Sequence, residues 1–282
     1  MVREIKAPRQ REFIQFLHSK KYAKSTIEGI FKTGCAAIRY ACSEDMISSA
    51  PNFIDLGKEM RKFKALKKPK SRPLELLEIA QLLEQAGTDR LVRYIMILLG
   101  TGARPAAALE LEGSQIDLHA GTIQLLKEGN EQSNKYRATV RLPTFIRAIY
   151  HTENICSRGY IQLNPNKPVD SIKSSWNTAR KNAKLDDLVN PGSFRKTVAK
   201  WLRTCGVEPW HVSAQLGHRR QGSEITEIYA PNDPAYLATA LEAIEGYFAI
   251  LYKISPRLQR LEQLRTYEAR CDLVAKYENN IR

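Results

Sequence analysis

Apolar residues recur at helical spacing along most of the chain. Between residues 24 and 46 the apolar positions, among them Ile27 and Phe31, fall three or four residues apart and form one face of a helix. Residues 11–20 carry a shorter stripe of the same kind. Further along the chain, similar stripes predict helices over residues 74–87, 90–102, 102–113, 171–185, 193–206, 208–217 and 234–254.

The residues at the ends of these stripes support the helix boundaries. Side chains that accept a hydrogen bond from the first turn of a helix are favoured as N-caps, and the predicted N-caps are Ser25, Ser193 and Asp233. Glycine ends a helix well because it adopts the left-handed conformation without strain, and the predicted terminal glycines are Gly87, Gly102 and Gly206.

One part of the chain departs from the helical pattern. Residues 121–126 and 136–143 are rich in alternating or β-branched residues and flank a polar loop, residues 127–135. This arrangement predicts a β-hairpin. The expected fold class is therefore mainly α with a small β-hairpin or sheet, in the α+β class.

A basic segment divides the chain. Residues 58–73, "KEMRKFKALKKPKSRP", hold eight basic residues and one acid, together with two prolines. Like charges and prolines favour an extended linker, so we predict a helical domain over 1–57, a linker over 58–73 and a second domain over 74–254. The linker lysines expected to contact DNA are Lys62, Lys64, Lys67 and Lys68.

The composition points to a polyanionic partner. The chain has 44 Lys plus Arg against 30 Asp plus Glu, a net charge of +14 and a pI near 9.6. Nucleic acid is the first partner to consider for such an excess. No apolar run is long enough to span a membrane, and the five scattered cysteines suit reduced thiols in the cytoplasm rather than a disulfide framework.

Four polar residues stand at predicted helix ends in an order that suits phosphate chemistry. Arg104 and Arg195 lie in first helical turns, where free N–H groups and the helix dipole favour an anion. His218 follows a terminal glycine, and Tyr229 stands alone before a proline. A phenol beside two guanidinium groups could attack phosphorus, because they stabilise the charge that builds on the phosphoryl oxygens.

Each of these residues also has a structural explanation when taken alone. An arginine at a helix start is usually a surface residue, a histidine after a glycine often caps carbonyls, and a tyrosine before a proline is often half-buried. No Gly-Lys phosphate loop, His-Glu-x-x-His motif or paired-carboxylate motif supports an NTPase, a metalloprotease or a nuclease.

The stretches "LLGTGARPAAALELEG", "GSFRKTVAKWLRTCG", "QLGH" and "EIYAP", in this order, resemble the tyrosine recombinase (phage integrase) family. The resemblance implies a helical core-binding domain and a catalytic domain that close around duplex DNA and assemble as dimers or tetramers on it. It also implies cleavage through a 3′-phosphotyrosine without metal or nucleotide cofactor. The residues that match the family's catalytic positions are Arg104, Arg195, His218 and Tyr229, and the neighbouring basic residues expected on DNA are Arg219 and Arg220.

The family's remaining catalytic residue is a lysine on the hairpin, which acts as general acid. Lys127 has roughly the usual spacing from Arg104, whereas Lys135 has the usual spacing from the closing "VRLP" strand. Because the loop is long, we expect Lys135 to hold this role and keep Lys127 as the alternative.

Two positions depart from the family pattern. Ala107 stands where members usually carry an acid, and Gly192 stands where they usually carry histidine or another polar or aromatic residue. Because of these departures, a second interpretation is a family member that has weakened or lost cleavage and acts as a DNA-binding protein. A type IB topoisomerase is a third interpretation.

The last 28 residues carry another apolar stripe. Its members predict an amphipathic C-terminal helix within residues 255–282, and they are Leu258, Leu261, Leu264, Tyr267, Cys271 and Val274. The family resemblance implies docking on a neighbouring subunit, and the alternative is packing on the helix's own domain.

Overall fold

The computed structural model describes residues 5–63, 69–132, 136–153, 162–164, 167–169, 171–218, 233–261, 264, 267 and 270–281. The chain divides into two compact units, residues 1–68 and 69–282. It is mostly helical with a small antiparallel sheet, which confirms the predicted α+β class. Within the described ranges, no helix is both long and apolar enough to cross a membrane.

The described residues of the first unit form three helices, α1 (Ala7–Ser19), α2 (Lys24–Ser43) and α3 (Leu56–Arg61). Its small core is formed by the apolar faces of these helices and contains Ile14, Leu17, Ile27, Phe31, Cys35 and Met60. The buried side chain of Gln10 fixes the segment before α3, since its amide nitrogen donates to the Asn52 carbonyl at 2.9 Å and its oxygen accepts from the Ile54 N–H at 3.0 Å.

The predicted linker needs a correction at its start. Residues 58–61 belong to α3, where the Asp55 side chain accepts a hydrogen bond from the Lys58 N–H at 3.1 Å. Met60 is buried in the core of the first unit. An apolar residue inside the basic run therefore holds these residues in a helix, although like charges favour extended chain. The division between the two units falls inside the predicted linker.

The second unit contains the helices α4 to α13. They are α4 (Leu76–Glu84), α5 (Asp89–Thr101), α6 (Pro105–Leu109), α7 (Thr144–Glu153), α8 (Lys173–Asn182), α9 (Gly192–Thr204), α10 (Pro209–Gln215), α11 (Ala238–Ile254), α12 (Pro256–Gln259) and α13 (Cys271–Tyr277). Short 3-10 turns cover Gly113–Gln115, Pro234–Leu237 and Glu278–Ile281.

The core of this unit surrounds α5 and α11. All but one of the residues from Leu91 to Thr101 are buried, so this part of α5 is covered on nearly every side. Phe145 and Phe248 stack with ring centroids 3.7 Å apart. The Trp201 indole N–H donates to the Ala243 carbonyl at 2.7 Å, which satisfies a buried donor and ties α9 to α11.

The hairpin predicted from the strand pattern is confirmed, and it carries a third strand. β2 (Thr122–Gln124) pairs antiparallel with β3 (Thr139–Arg141), with Ile123 opposite Val140. β1 (Ile116–Asp117) pairs with the other edge of β2. Two residues are too few for an alternating pattern to show, so β1 was not predicted. A second two-stranded pair joins β4 (Gln162–Asn164) and β5 (Lys167–Pro168).

Helix ends were predicted with mixed success. Asp233 caps the turn that precedes α11 by accepting from the Ala235 N–H at 2.7 Å, and Gly102 and Gly206 have positive φ after α5 and α9. Three assignments were wrong. Ser25 lies inside α2 without a capping bond, Ser193 lies one residue inside α9 with a buried side chain, and the helix predicted to reach Gly87 ends at Glu84.

The C-terminal segment is not a single helix. Pro256 begins the short α12, and α13 starts only at Cys271. Except for the exposed Cys271, the predicted stripe is buried in the core of the second unit, and its members are Leu258, Leu261, Leu264, Tyr267 and Val274. This segment therefore packs on its own unit, which is the alternative to docking on a neighbouring subunit.

A glycine in the middle of α11 lets the chain end pack closely. A Cβ added to Gly246 would lie 2.3 Å from the Cδ2 atom of Tyr277, whose ring is buried. We expect Gly246→Ala to lower the free energy of unfolding by about 1–3 kcal/mol, the usual cost of overpacking a core. Thermal unfolding of the purified protein measures the loss.

The matched control is Gly29→Ala on the exposed side of α2, where an added Cβ meets nothing within 4 Å. Alanine is the better helix former, so this change is expected to be neutral or to stabilise by up to about 1 kcal/mol. Adding Tyr277→Leu to Gly246→Ala should recover part of the lost stability. Equal melting temperatures for the two alanine variants would contradict the close packing.

Candidate active site

Arg104 is positioned by a sharp reversal of the chain after α5. Gly102 takes φ +64°, and a Cβ there would lie 2.9 Å from the Leu216 side chain. The chain then enters α6, with Arg104 as its N-cap residue and Pro105 as its first residue. The Arg104 guanidinium reaches the segment before β3, where its Nη1 donates to the Tyr136 carbonyl at 2.6 Å.

Arg195 lies in the first turn of α9 and joins two other helix ends. Its Nη1 donates to the Gly102 carbonyl at 2.9 Å, and its Nη2 donates to the Leu216 carbonyl. These carbonyls follow α5 and α10, where the last carbonyls of a helix lack intrahelical partners and carry partial negative charge. The guanidinium fork therefore ties the ends of α5 and α10 to the start of α9.

His218 follows α10 through a second left-handed glycine. Gly217 has φ +60°, and a Cβ there would lie 2.9 Å from the Tyr136 carbonyl, the same oxygen that accepts from Arg104. The His218 N–H donates to the Ser213 carbonyl at 2.9 Å. Two glycines with positive φ thus allow the close backbone contacts on which the site depends.

The three residues act on one another electrostatically. Burial, together with the nearby charge of Arg104, lowers the pKa of Arg195 to about 10. Burial, and then the charges of Arg195 and Arg104, lower the pKa of His218. We call Arg104, Arg195 and His218 the cation cluster. Like charges and burial both raise the free energy of the cation cluster. A bound phosphate would therefore offset the repulsion between the cations and the cost of removing them from water.

The other residues predicted for the site are only partly covered by the structure. Most lie outside the described residues, namely Lys64, Lys67, Lys68, Lys135, Arg219, Arg220 and Tyr229. Lys62 is described and ion-pairs with Glu59 at 2.6 Å in the first unit. The described residues contain no group of three or more His, Cys, Asp or Glu side chains placed to hold a metal ion.

Beside the hairpin, two basic side chains form ion pairs with acidic residues that follow α6. The Lys127 ammonium contacts Glu112 at 2.6 Å, and the Arg137 guanidinium contacts Glu110 at 2.6 Å. Arg137 also belongs to the electrostatic surroundings of the cation cluster, since its charge, after burial, lowers the pKa of Arg104. Sequence reasoning missed Arg137, because no spacing rule links it to Arg104.

The two departures from the family pattern have local explanations. Ala107 is buried against the apolar core, so a side chain at this position of α6 faces the protein interior. Gly192 begins α9, and its N–H donates to the Asn190 Oδ1 atom at 3.0 Å. A Cβ on Gly192 would lie 3.1 Å from that same oxygen, and its φ is not left-handed, so the residue is limited by space rather than by backbone strain.

Comparisons with known proteins identify the family and the fold. Residues 72–235, more than half of the chain, match the Phage integrase family. A comparison with curated protein sequences found no match. Residues 82–397 of the Tn1549 transposon integrase, solved in complex with circular intermediate DNA, share the fold with a TM-score of 0.60 at 17% identity, over 81% of this chain and 82% of that one. A variant of the same integrase in complex with transposon right end DNA gives a TM-score of 0.57 at 17% identity, over 84% of each chain.

The chain belongs to the phage integrase family, that is, to the tyrosine recombinases. The resemblance seen in the sequence is thereby confirmed.

The lowered pKa of His218 gives a prediction. In the free protein, the histidine should titrate below its ordinary pKa of 6.5, and inorganic phosphate should raise that pKa because an anion offsets the neighbouring cations. Since the folded state then binds a proton less readily than the unfolded chain, this residue destabilises the protein as the pH falls through 6.5 and below.

NMR titration of the imidazole measures the pKa directly, with His218→Gln used to assign the signal. The unfolding free energy of this variant should fall less between pH 7 and pH 5 than that of the unchanged protein. A pKa at or above 6.5 that does not respond to phosphate would contradict the cation cluster.

Proposed function

We propose that the protein is a site-specific DNA recombinase, or integrase, that cleaves and rejoins duplex DNA through a 3′-phosphotyrosine intermediate. The observation that carries the proposal is the convergence of Arg104, Arg195 and His218, from three separate helix ends, around a site with excess positive charge. Family membership supports the same reaction class. The net charge of +14 supports double-stranded DNA as the substrate.

The proposed chemistry divides among the residues as follows. Arg104 and Arg195 bind the non-bridging oxygens of the scissile phosphate, and His218 donates a hydrogen bond to it. The Tyr229 oxygen attacks phosphorus and gives its proton to water, while the bond from phosphorus to the 5′-oxygen breaks. A lysine on the hairpin, for which we keep Lys135, protonates the leaving 5′-oxygen. Because the phosphotyrosine conserves the energy of the phosphodiester, the reverse reaction needs no nucleotide cofactor.

The cellular setting and the assembly belong to the proposal as well. We expect dimers or tetramers on DNA, since recombination joins two cleaved duplexes. The cytoplasm is the expected compartment, and the four described cysteines, Cys35, Cys42, Cys205 and Cys271, are free thiols, which suits a reducing environment.

The nucleophile can be tested with a nicked duplex built from the DNA that flanks the gene. Cleavage next to the nick releases a short fragment, so the covalent protein–DNA adduct accumulates. We expect Tyr229→Phe to retain duplex affinity within about twofold, because only one hydroxyl is lost, and to form no adduct. Denaturing gel electrophoresis measures the adduct.

Tyr236→Phe is the matched control, because this exposed tyrosine follows Tyr229 closely in the sequence. It should form the adduct at the unchanged rate. An adduct of full yield from Tyr229→Phe would refute the assignment. DNA binding without any adduct from the unchanged protein would favour the non-cleaving alternative, for which Gly192 and Ala107 are the sequence signals.

The general acid can be tested by changing the leaving group. A substrate with sulfur in place of the bridging 5′-oxygen leaves without protonation, so it does not need the acid. We expect Lys135→Ala to slow cleavage of the ordinary substrate by about 10²–10⁴-fold and to cleave the sulfur substrate at nearly the normal rate.

Lys127→Ala is the matched variant, and its side chain is held by Glu112 in the free protein. It should slow cleavage only modestly and to the same extent with both substrates. If sulfur rescues Lys127→Ala instead, the general acid is Lys127 and the assignment to Lys135 is wrong.

A further inference from the structure

Arg137 lies beside the cation cluster, and its backbone is held from several directions. The Gln132 side chain accepts from the Arg137 N–H at 3.1 Å and donates to the Arg137 carbonyl at 2.8 Å. On one side, the Tyr136 carbonyl accepts from Arg104, and on the other the Ala138 carbonyl accepts from the Leu125 N–H at 3.1 Å. The position of Arg137 is therefore fixed relative to Arg104.

The side chain of Arg137 has one ion-pair partner among the residues that the structure describes, and this partner is Glu110. The two side chains are 23% and 50% exposed. An ion pair at such exposure contributes little to stability, so a competing anion can replace the carboxylate. This ion pair uses one guanidinium nitrogen, Nη1, so among the residues that the structure describes the rest of the fork is open to another acceptor.

Glu110 marks a place separate from the scissile phosphate. It lies six residues beyond Arg104 along α6 and its C-terminal end, which corresponds to about 9 Å at the rise of a helix. Within the residues that the structure describes, the Glu110 carboxylate pairs with Arg137 and not with Arg104 or Arg195, so it lies away from the centre of the cation cluster. It holds the Arg137 guanidinium at a second position on the same surface, where a cationic surface favours another anion.

We propose that Arg137 binds a backbone phosphate next to the scissile one, and that the Glu110 carboxylate occupies this phosphate's place in the free protein. The proposal rests on the proposed function, since it takes duplex DNA as the ligand. On binding, the phosphate displaces Glu110, which then returns to solvent. Arg137 thus adds to DNA affinity, and Glu110 opposes it.

The test measures affinity for duplex DNA over a range of salt concentrations by fluorescence anisotropy. Arg137→Gln should weaken binding and reduce the slope of log K against log salt by about 0.9, the loss of one phosphate contact. Arg137→Lys should keep the slope, because the charge remains. Glu110→Gln should raise affinity roughly two- to fivefold, since it removes a competitor of modest strength.

The combination of the two changes separates this mechanism from a general effect of charge. In the Arg137→Gln background, Glu110→Gln should no longer raise affinity, because the competition it relieves is gone. An equal rise in both backgrounds would show that Glu110 acts only through the overall field, and the proposal would be overturned.

A matched ion pair elsewhere on the same unit provides the control. Arg257 and Asp89 are also 2.6 Å apart, with side chains 24% and 49% exposed, but they join α12 to the start of α5. Arg257→Gln and Asp89→Asn should leave the salt slope unchanged. Thermal unfolding of every variant confirms that each one folds.

A third arm locates the phosphate. In this experiment, single phosphates of the cleaved duplex are replaced by neutral methylphosphonates. The loss of affinity caused by Arg137→Gln should disappear when the replaced phosphate is the one next to the scissile phosphate. If it vanishes only at the scissile phosphate, the placement is wrong. If the unchanged protein forms the Tyr229 adduct but Arg137→Gln keeps the full salt slope, this inference fails and the proposed function stands. If the unchanged protein binds no duplex, both the inference and the proposed function are wrong.

Discussion

The site depends on Arg195, a half-buried cation whose hydrogen-bond partners are carbonyls at the ends of two helices. Arg195 donates to the carbonyls of Gly102 and Leu216, and no carboxylate neutralises it among the residues that the structure describes. The desolvation of this guanidinium is only partly offset by two carbonyls, as its lowered pKa shows. The fold thereby holds positive charge in a position where an anion would be stabilised on arrival.

Much of this arrangement could be predicted from the sequence, because its parts are local. Gly102 and Gly206 end helices, and Arg104 and Arg195 begin them, so short-range rules place each residue at a helix end. Spacing alone, however, does not bring the ends of α5, α9 and α10 together. That step came from the family resemblance, and in the structure it depends on contacts between residues far apart in the chain, such as Arg195 with Gly102.

The features that the sequence did not reveal are those decided by tertiary contacts. The pairing of Arg137 with Glu110 joins a hairpin to the end of a helix, and no periodicity records it. The C-terminal stripe read as one amphipathic helix, yet its apolar residues are buried in separate short pieces around α11. An apolar stripe predicts that one face of a segment is buried. It does not predict which other part of the protein packs on that face. Met60 was placed in a linker for a different reason, the like charges and prolines around it, although it lies in the core of the first unit.

We propose that Arg104, Arg195 and His218 hold one and the same phosphate. This can be tested by a crystal structure of the protein with a duplex trapped at its cleavage site. A single phosphate is expected to accept hydrogen bonds from both guanidinium groups and from the imidazole. A structure in which these three side chains contact different phosphates, or none, would contradict it.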